Sequence, residues 1–233
     1  MPRGPTSRDR KDFAAAVLPK LRAAAADLRW LLHRGYGMRG ALRIVGNRHR
    51  LRKRQRRALY RSVCPPAEAA ARRTRLCSVS ALHNRHLCID GYNCLIITEC
   101  LLAGGIVLQC DDGAVRDVQG IFGSYRITEH TAAALEAVAT ILQSVRPQEI
   151  AVILDARMRY ARAVHSRWEQ TFRRYGLPIS VHPVETADPV LMERGHTAVV
   201  ASSDGPVMDD VRHVTDLPAA VAEHRGIPLL RIL

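Results

Sequence analysis

The stretch Leu87-Cys88-Ile89-Asp90-Gly91-Tyr92-Asn93 decides how the fold of this chain is interpreted. A short apolar run ends on a carboxylate, a glycine follows, and a helical pattern starts at once. In an open α/β sheet, the crossing from strand end to helix start is where ligands bind. We therefore expect a strand at 86–90, a helix after it and a functional edge at Asp90.

The chain after this stretch alternates strand and helix patterns. Ile150-Ala151-Val152-Ile153-Leu154 is a continuous apolar run, which is typical of a strand covered on both faces. The expected strands are 86–90, 105–110, 149–155, 179–183, 197–202 and 227–231, and the expected helices are 93–103, 128–145, 159–175, 186–194, 205–211 and 217–224. Such alternation predicts an α/β fold, with a parallel sheet flanked by helices and right-handed crossovers.

The first 80 residues differ in character from the rest. They hold 21 Lys/Arg and 4 Asp/Glu, a net charge of +17, whereas residues 81–233 hold 14 and 18, a net charge of −4. This charge asymmetry indicates two structural units with different functions. We expect a disordered basic lead at 1–10, a small all-α basic domain at 11–80 and an α/β domain at 84–233.

Residues 48–61 predict a strongly cationic helix within the basic part. Eight of these fourteen residues are Arg or Lys and none is acidic, so pairs inside the helix cannot offset the repulsion. A solvated charged face is the ordinary explanation of a charge run. We favour nucleic-acid binding, because such a helix is more stable against phosphates. The candidate phosphate-binding residues are Arg52, Lys53, Arg56 and Arg57.

Composition argues against membrane, secretory and zinc-binding classes. No apolar run approaches the roughly 20 residues of a membrane helix, and the N-terminus lacks the apolar segment of a secretory signal. These features predict a cytoplasmic protein with no membrane partner. Six cysteines lie between Cys64 and Cys110 without a CxxC pair, so zinc spacing is absent and buried free thiols in a reducing compartment are expected.

Acidic side chains occur where apolar strands end or helices begin. Asp90, Asp155 and Asp204 follow predicted strands, and Asp188 opens the helix after the strand at 179–183. In a parallel sheet these ends lie along one edge, so the carboxylates are expected to converge. A helix cap alone would explain Asp188 or Asp204. Clustered carboxylates repel unless a cation neutralises them, and Mg²⁺ or Mn²⁺ suits an all-oxygen site.

Short motifs at these positions resemble a known group of proteins. Ile89-Asp90-Gly91-Tyr92-Asn93 is similar to the opening motif of the NYN branch of the PIN-like nucleases. The later acidic motifs of that group resemble residues 154–156, 185–188 and 202–204, in the same order. The whole chain resembles an uncharacterised two-domain family, domain of unknown function 434 followed by a PIN-like unit.

The resemblance implies a PIN-like, Rossmann-like sheet with a metal-dependent ribonuclease-type active site. Asp90, Asp188 and Asp204 would bind Mg²⁺ or Mn²⁺, and Asp155 would complete the catalytic set directly or through water. Asn93 would orient Asp90 or a substrate phosphate, or cap the following helix. RNA is favoured over DNA as the substrate. The alternatives are a non-catalytic nucleic-acid-binding protein on a PIN-like scaffold and a protein-interaction scaffold with an acidic partner.

Residues 111–126 depart from ordinary PIN-like domains, because they are rich in glycine and in both charge signs. As a lid, this segment would bring Arg116 or Arg126 to a phosphate, Tyr125 to a base and Asp112 to the metal site. As a β-hairpin, it would be explained by its Asp-Gly turn alone. The sequence leaves both interpretations open.

Overall fold

The computed structural model describes residues 4–119 and 125–232. The first part of the chain is helical, as its apolar periodicity predicts. Its α-helices are α1 (Asp9–Asp12), α2 (Leu18–His33), α3 (Met38–Arg48), α4 (Lys53–Ser62) and α5 (Pro66–Arg75). Helices α2 and α5 each have a proline in the first turn, where its missing N–H is not needed.

The second part of the chain is built on a parallel sheet. In chain order, its strands are β1 (His86–Asp90), β2 (Val107–Gln109), β3 (Val115–Asp117), β4 (Glu149–Asp155), β5 (Ile179–Val184), β6 (Val199–Ala201), β7 (Val214–Thr215) and β8 (Leu230–Arg231). In the described residues the main sheet has the order β5-β4-β1-β6-β7, with all neighbours parallel. Strands β3, β2 and β8 form a smaller sheet in that order. Strand β1 therefore ends at the middle of the main sheet's carboxyl edge.

Helices cover both faces of the main sheet, which confirms the predicted fold class. They are α6 (Gly91–Leu102), α7 (Thr131–Val145), α8 (Ala161–Arg174), α9 (Ala187–Arg194), α10 (Gly205–Asp210) and α11 (Leu217–Arg225). Leu87 and Ile89 of β1 pack with residues of α6, α7, α8 and α11. Cys88, which points to the other face, packs with residues of α9 and α10. Among the described helices, none is long and apolar enough to cross a membrane.

The helical region shares a hydrophobic core with the smaller sheet. Leu28 of α2 and Leu59 of α4 lie in the same apolar cluster as Leu108 of β2. Arg29 adds a bidentate ion pair with Asp111, with N–O distances of 2.8 and 2.9 Å. The basic helices are therefore packed directly against the α/β part of the chain.

Some expectations from the sequence differ from the structure. Helix α1 begins at Asp9, whose side chain is fully buried, so the expected disorder does not extend through residue 10. Strand β7 was not expected, because two residues are too few to show a period. Strands β2 and β3 pair antiparallel around Asp112-Gly113, which is the hairpin alternative for this segment. Residues 120–124 of the same segment lie outside the described residues.

The cysteines all fall within the described residues and are free thiols, as expected. Cys88, Cys94, Cys100 and Cys110 are buried. Burial raises the pKa of Cys110 to about 11 and that of Cys88 to about 12. The thiols of Cys88 and Cys110 are therefore neutral at physiological pH and act as small apolar core residues.

Gly91, the first residue of α6, lets this helix start directly against β4. A Cβ atom at this position would lie 2.6 Å from Leu154 Cδ2 and 2.8 Å from Val152 Cγ1. We expect Gly91→Ala to lower the free energy of unfolding by about 1–3 kcal/mol, because helix and strand must move apart. Urea denaturation measures this change. Gly40→Ala in α3 is the control, since no described atom lies within 4 Å of its added Cβ; equal stability of the two variants would contradict the prediction.

Candidate active site

The carboxyl edge of the main sheet forms an open cleft of about 270 Å³. Asp90 ends β1, Asp155 ends β4, Asp188 lies in the first turn of α9, and Asp204 immediately precedes α10. All of these side chains line the cleft. The carboxylates therefore converge, as the shared direction of parallel strands predicts.

Asp90 is the most deeply buried of these carboxylates, with 8% of the residue exposed. Its Oδ1 accepts a hydrogen bond from the backbone N–H of Asn93 at 3.2 Å, and its Oδ2 accepts one from Ser202 Oγ at 3.0 Å. Burial, reinforced by the charges of Asp204 and Asp188, raises the pKa of Asp90 from 3.8 to about 7, although the hydrogen bonds oppose this shift. A cation in the cleft would relieve the repulsion.

Asp204 and Asp188 are not explained as helix caps. Asp204 occupies the capping position of α10, but its carboxylate makes no capping hydrogen bond in the part of the chain that the structure describes. Asp188 lies inside the first turn of α9, beyond the capping residue Thr186. Burial and then the charge of Asp188 raise the pKa of Asp204. Asp90, in contrast, both lines the cleft and caps α6.

Asn93 lines the cleft and contacts Asp90, and its expected contact with a substrate phosphate stays a prediction. Its side-chain Oδ1 accepts hydrogen bonds from the backbone N–H and the hydroxyl of Ser203, both at 3.1 Å. It contacts Asp90 through its backbone N–H. The side chain of Asn93 therefore ties α6 to the loop that presents Asp204.

Arg116 and Asp112 form a buried network behind the cleft. Arg116 donates to both carboxylate oxygens of Asp112, at 2.8 and 2.7 Å, and to the backbone oxygen of Ser203 at 2.6 Å. Arg72 donates to Asp112 at 3.2 Å and to Asp209 at 2.8 and 2.7 Å. Arg116 is 7% exposed and Asp112 is fully buried. The expectation that they reach a phosphate and a metal is therefore wrong: they anchor the loop before α10.

Tyr125 is also an internal residue. It is fully buried, and its hydroxyl donates to Glu99 Oε1 at 2.8 Å. Its ring packs edge-on against Tyr92, with centroids 5.3 Å apart. The expectation that Tyr125 stacks on a substrate base is therefore wrong. Arg126 is exposed, and its contact with a phosphate stays a prediction.

Several basic residues of α4 form ion pairs or hydrogen bonds within the protein. Arg52 pairs with buried Asp12 at 3.0 Å, and Arg56 and Arg57 donate to backbone oxygens at 2.9 and 2.6 Å. The helix itself contains no acid to pair with Arg52, and its partner Asp12 comes from α1. Arg52, Lys53 and Arg57 are exposed and Arg56 is half-buried, so their predicted contacts with phosphates stay predictions.

The sequence candidates did not include Asp117, Arg61 or Tyr92, which also line the cleft. Asp117 ends β3, and its Oδ2 accepts a hydrogen bond from Arg61 at 3.4 Å. The Tyr92 hydroxyl is buried and has no hydrogen-bond partner among the described residues. Burial and then the charge of Asp155 raise the pKa of Tyr92 to about 12. A buried hydroxyl without a protein partner indicates contact with a ligand or water.

The donor atoms of the cleft suit Mg²⁺ or Mn²⁺ in kind, because they are carboxylate and hydroxyl oxygens. Within residues 4–119 and 125–232, no three acidic, His or Cys side chains stand close enough together to hold one ion. Mg²⁺ usually keeps several waters and binds through one or two carboxylates. The residues therefore fit a hydrated ion held by one or two of them, rather than an all-protein cage.

The fold and the cleft together define a class of α/β protein with an acidic site at the carboxyl edge of a parallel sheet. The chain belongs to the family described as Domain of unknown function (DUF5616), whose model matches residues 79–220. Residues 20–75 match Protein of unknown function (DUF434), which confirms that part of the resemblance. Uncharacterized protein MJ0935 of Methanocaldococcus jannaschii is 27% identical over 203 residues, which cover 86% of this chain and 96% of that protein. No solved structure matches the chain.

Proposed function

We propose that this protein is a Mg²⁺- or Mn²⁺-dependent nuclease that hydrolyses phosphodiester bonds, with RNA favoured over DNA by the PIN-like resemblance. The observation that supports the proposal most directly is the cleft lined by the carboxylates of Asp90, Asp117, Asp155, Asp188 and Asp204. Burial is the main cause of the raised pKa of Asp90, and the negative charges of Asp204 and Asp188 add to it; a cation in the cleft would offset that repulsion.

One or two of these carboxylates would hold a hydrated divalent ion, which would supply the activation of water and the neutralisation of phosphate charge. The protein holds its own carboxylates in place for this chemistry. Hydrogen bonds from Asn93 and Ser202 fix Asp90, and Arg116 anchors the loop that precedes Asp204. Arg61 adds a positive charge to the lining of the cleft, where a phosphate would enter.

The helical region supports a polyanionic substrate. Arg39, Arg43 and Lys53 are exposed and form no ion pair with any residue that the structure describes. The net charge of +17 in residues 1–80 attracts polyanions over a distance. Binding through such charges weakens steeply as salt increases, because counterions compete for the phosphates.

A non-catalytic nucleic-acid-binding protein on the same scaffold is the second candidate. The observation that favours it is the absence, among the described residues, of three acidic side chains close enough to share an ion. This candidate predicts salt-sensitive binding that is indifferent to chelator and to the aspartates of the cleft.

Cleavage of labelled RNA and DNA with Mn²⁺ tests the proposal. Asp90→Asn and Asp204→Asn are each expected to reduce the cleavage rate at least about 100-fold, because each removes a charge that the reaction needs. Asp210→Asn is the matched control, since Asp210 is exposed and lies outside the cleft. If the protein cleaves neither nucleic acid, or if the cleft variants cleave as fast as the wild type, the catalytic proposal fails.

A further inference from the structure

A second cavity opens beside the acidic cleft, between the helical region and the main sheet. Its volume is about 610 Å³, and Arg61 and Asp204 line both this cavity and the cleft. Other parts of its wall are residues 35–38, between α2 and α3, and residues 60–65, at the end of α4. We call this cavity the junction groove. Because the two cavities share these residues, they adjoin each other at Arg61 and Asp204.

Tyr36 and Tyr60 line the junction groove, and each is 53% exposed. Tyr36 is held by a rigid turn: its N–H donates to the Leu31 oxygen at 3.1 Å, and the N–H of Gly35 donates to the Leu32 oxygen at 3.0 Å. This is the Schellman pattern of a helix end, with Gly35 at φ +82°. Tyr60 lies in the last turn of α4. Both rings are therefore exposed on ordered backbone, where a base could stack on them.

The charges around the junction groove narrow the choice of ligand. Arg72 and Arg116, on its inner wall, are engaged in buried ion pairs. Lys53, Arg57 and Arg61 are spaced four residues apart on α4, so they lie along one face of that helix. Arg61 is the last of this row and reaches the cleft. Of this row, Arg61 lines the groove beside the two rings, and it also donates a hydrogen bond to Asp117 of the cleft.

An unpaired nucleotide matches this arrangement better than a basic or an apolar peptide does. Its base stacks on an aromatic ring, and its phosphate contacts the neighbouring cations. A basic peptide is repelled by the net charge of +17 in residues 1–80, and an apolar peptide makes no use of the positive charge of Arg61. A duplex keeps the faces of its bases inside its own stack, where tyrosine rings cannot reach them.

We propose that the junction groove binds unpaired bases of the substrate strand by stacking on Tyr36 and Tyr60, next to the cleft. The inference rests on the proposed function, because it takes the strand that is cut at the cleft as its ligand. It assigns to the helical region a role in selecting unpaired segments, beyond the attraction of phosphates.

Fluorescence anisotropy with a short labelled RNA tests this site, with the RNA either single-stranded or annealed to its complement. Chelator is present throughout, so that binding is measured without cleavage. Tyr36→Ala and Tyr60→Ala are each expected to weaken binding of the single strand roughly 5- to 100-fold, through the loss of a stacked base. Tyr36→Phe and Tyr60→Phe keep the ring and are expected to bind like the wild type.

Trp30→Ala is the matched control, because Trp30 is 56% exposed but does not line the groove. It is expected to bind the single strand like the wild type. Wild-type affinity of both tyrosine-to-alanine variants, an equal loss in Trp30→Ala, a duplex bound as tightly as the single strand, or no RNA binding at all would each overturn the inference.

The same samples separate this inference from the nuclease proposal. Asp90→Asn is expected to bind RNA at least as tightly as the wild type in chelator, because it removes a negative charge beside the groove. If the wild-type protein binds RNA through the two tyrosines but does not cleave it with Mn²⁺, the nuclease proposal fails and the binding groove stands. If the wild-type protein cleaves RNA, and the loss of both rings changes neither the cleavage rate nor the RNA affinity, the binding groove fails and the nuclease proposal stands.

Discussion

Asp90→Asn is expected to stabilise the protein in chelator at about pH 8, by up to about 4 kcal/mol. The pKa of Asp90 is about 7 in the folded protein, against an ordinary value of 3.8. Between these two values the folded state holds a proton that the unfolded state has lost, so the free energy of unfolding falls as the pH rises. Above the folded pKa, the wild type has the full free-energy cost of a buried, ionised carboxylate. The neutral side chain of asparagine avoids this cost.

The substitution suits this test because asparagine can keep both hydrogen bonds of Asp90. Its Oδ1 can accept from the N–H of Asn93, and its amide can donate to Ser202 Oγ, where the carboxylate now accepts. Thermal unfolding followed by circular dichroism across the pH range measures the difference. At about pH 4 the carboxyl group is largely protonated in the folded state and becoming protonated in the unfolded state, so the gain should be small there.

Asp210→Asn controls for the general effect of removing one negative charge, and it is expected to change stability little. Added Mn²⁺ should stabilise the wild type more than Asp90→Asn, because only the wild type offers this carboxylate to the ion. A variant that is less stable than the wild type at about pH 8, or one whose gain is the same at about pH 4, would contradict the expectation. A stabilised but inactive variant would show that the charge of Asp90 is kept for function at a cost in stability.

Arg116→Met is expected to lower the free energy of unfolding by about 3–5 kcal/mol, because it leaves the carboxylate of Asp112 buried with fewer partners. Burial alone would raise the pKa of Asp112, but hydrogen bonds and the charge of Arg116 outweigh burial and lower that pKa. Asp112 therefore stays ionised in the native protein. The remaining bonds from Arg72 and from the N–H of Ala114 are both 3.2 Å long. Urea denaturation measures the loss.

A double-mutant cycle separates the broken pair from the loss of packing. Asp112→Asn removes the charge, so the Asp112→Asn/Arg116→Met protein should be more stable than the sum of the two single effects predicts. Additive effects, or a loss below about 1 kcal/mol for Arg116→Met, would show that the network contributes little. Arg116→Met should also cleave RNA more slowly. Arg116 bonds to the backbone oxygen of Ser203, the residue before Asp204, and so holds the loop that presents this carboxylate.

Local sequence patterns were sufficient to place four of the five strands described in the main sheet, and they place its aspartates at one edge. Strands β1 and β4 have the predicted bounds, 86–90 and 149–155. Each is a run of apolar residues ended by a carboxylate, and both features can be recognised without knowing any distant contact. Because parallel strands run in the same direction, the carboxyl ends of these two strands share an edge. The position of Asp90 and Asp155 on that edge follows from the sequence alone.

Only the tertiary structure decided which charged and aromatic side chains face the cleft. Arg116 is buried because its partner oxygen belongs to Ser203, 87 residues later, and Tyr125 is buried against Glu99, 26 residues earlier. Asp117 lies in the cleft because the short strand β3 pairs with β2. Each of these strands has three residues, which are too few for an alternating pattern to predict the pairing. A side chain becomes a structural ion pair or a ligand-facing group according to which distant segments pack around it. The local hydrophobic pattern carries no information about those distant segments. The sequence alone therefore determined the central strands and their acidic edge, and tertiary packing determined which side chains line the cleft.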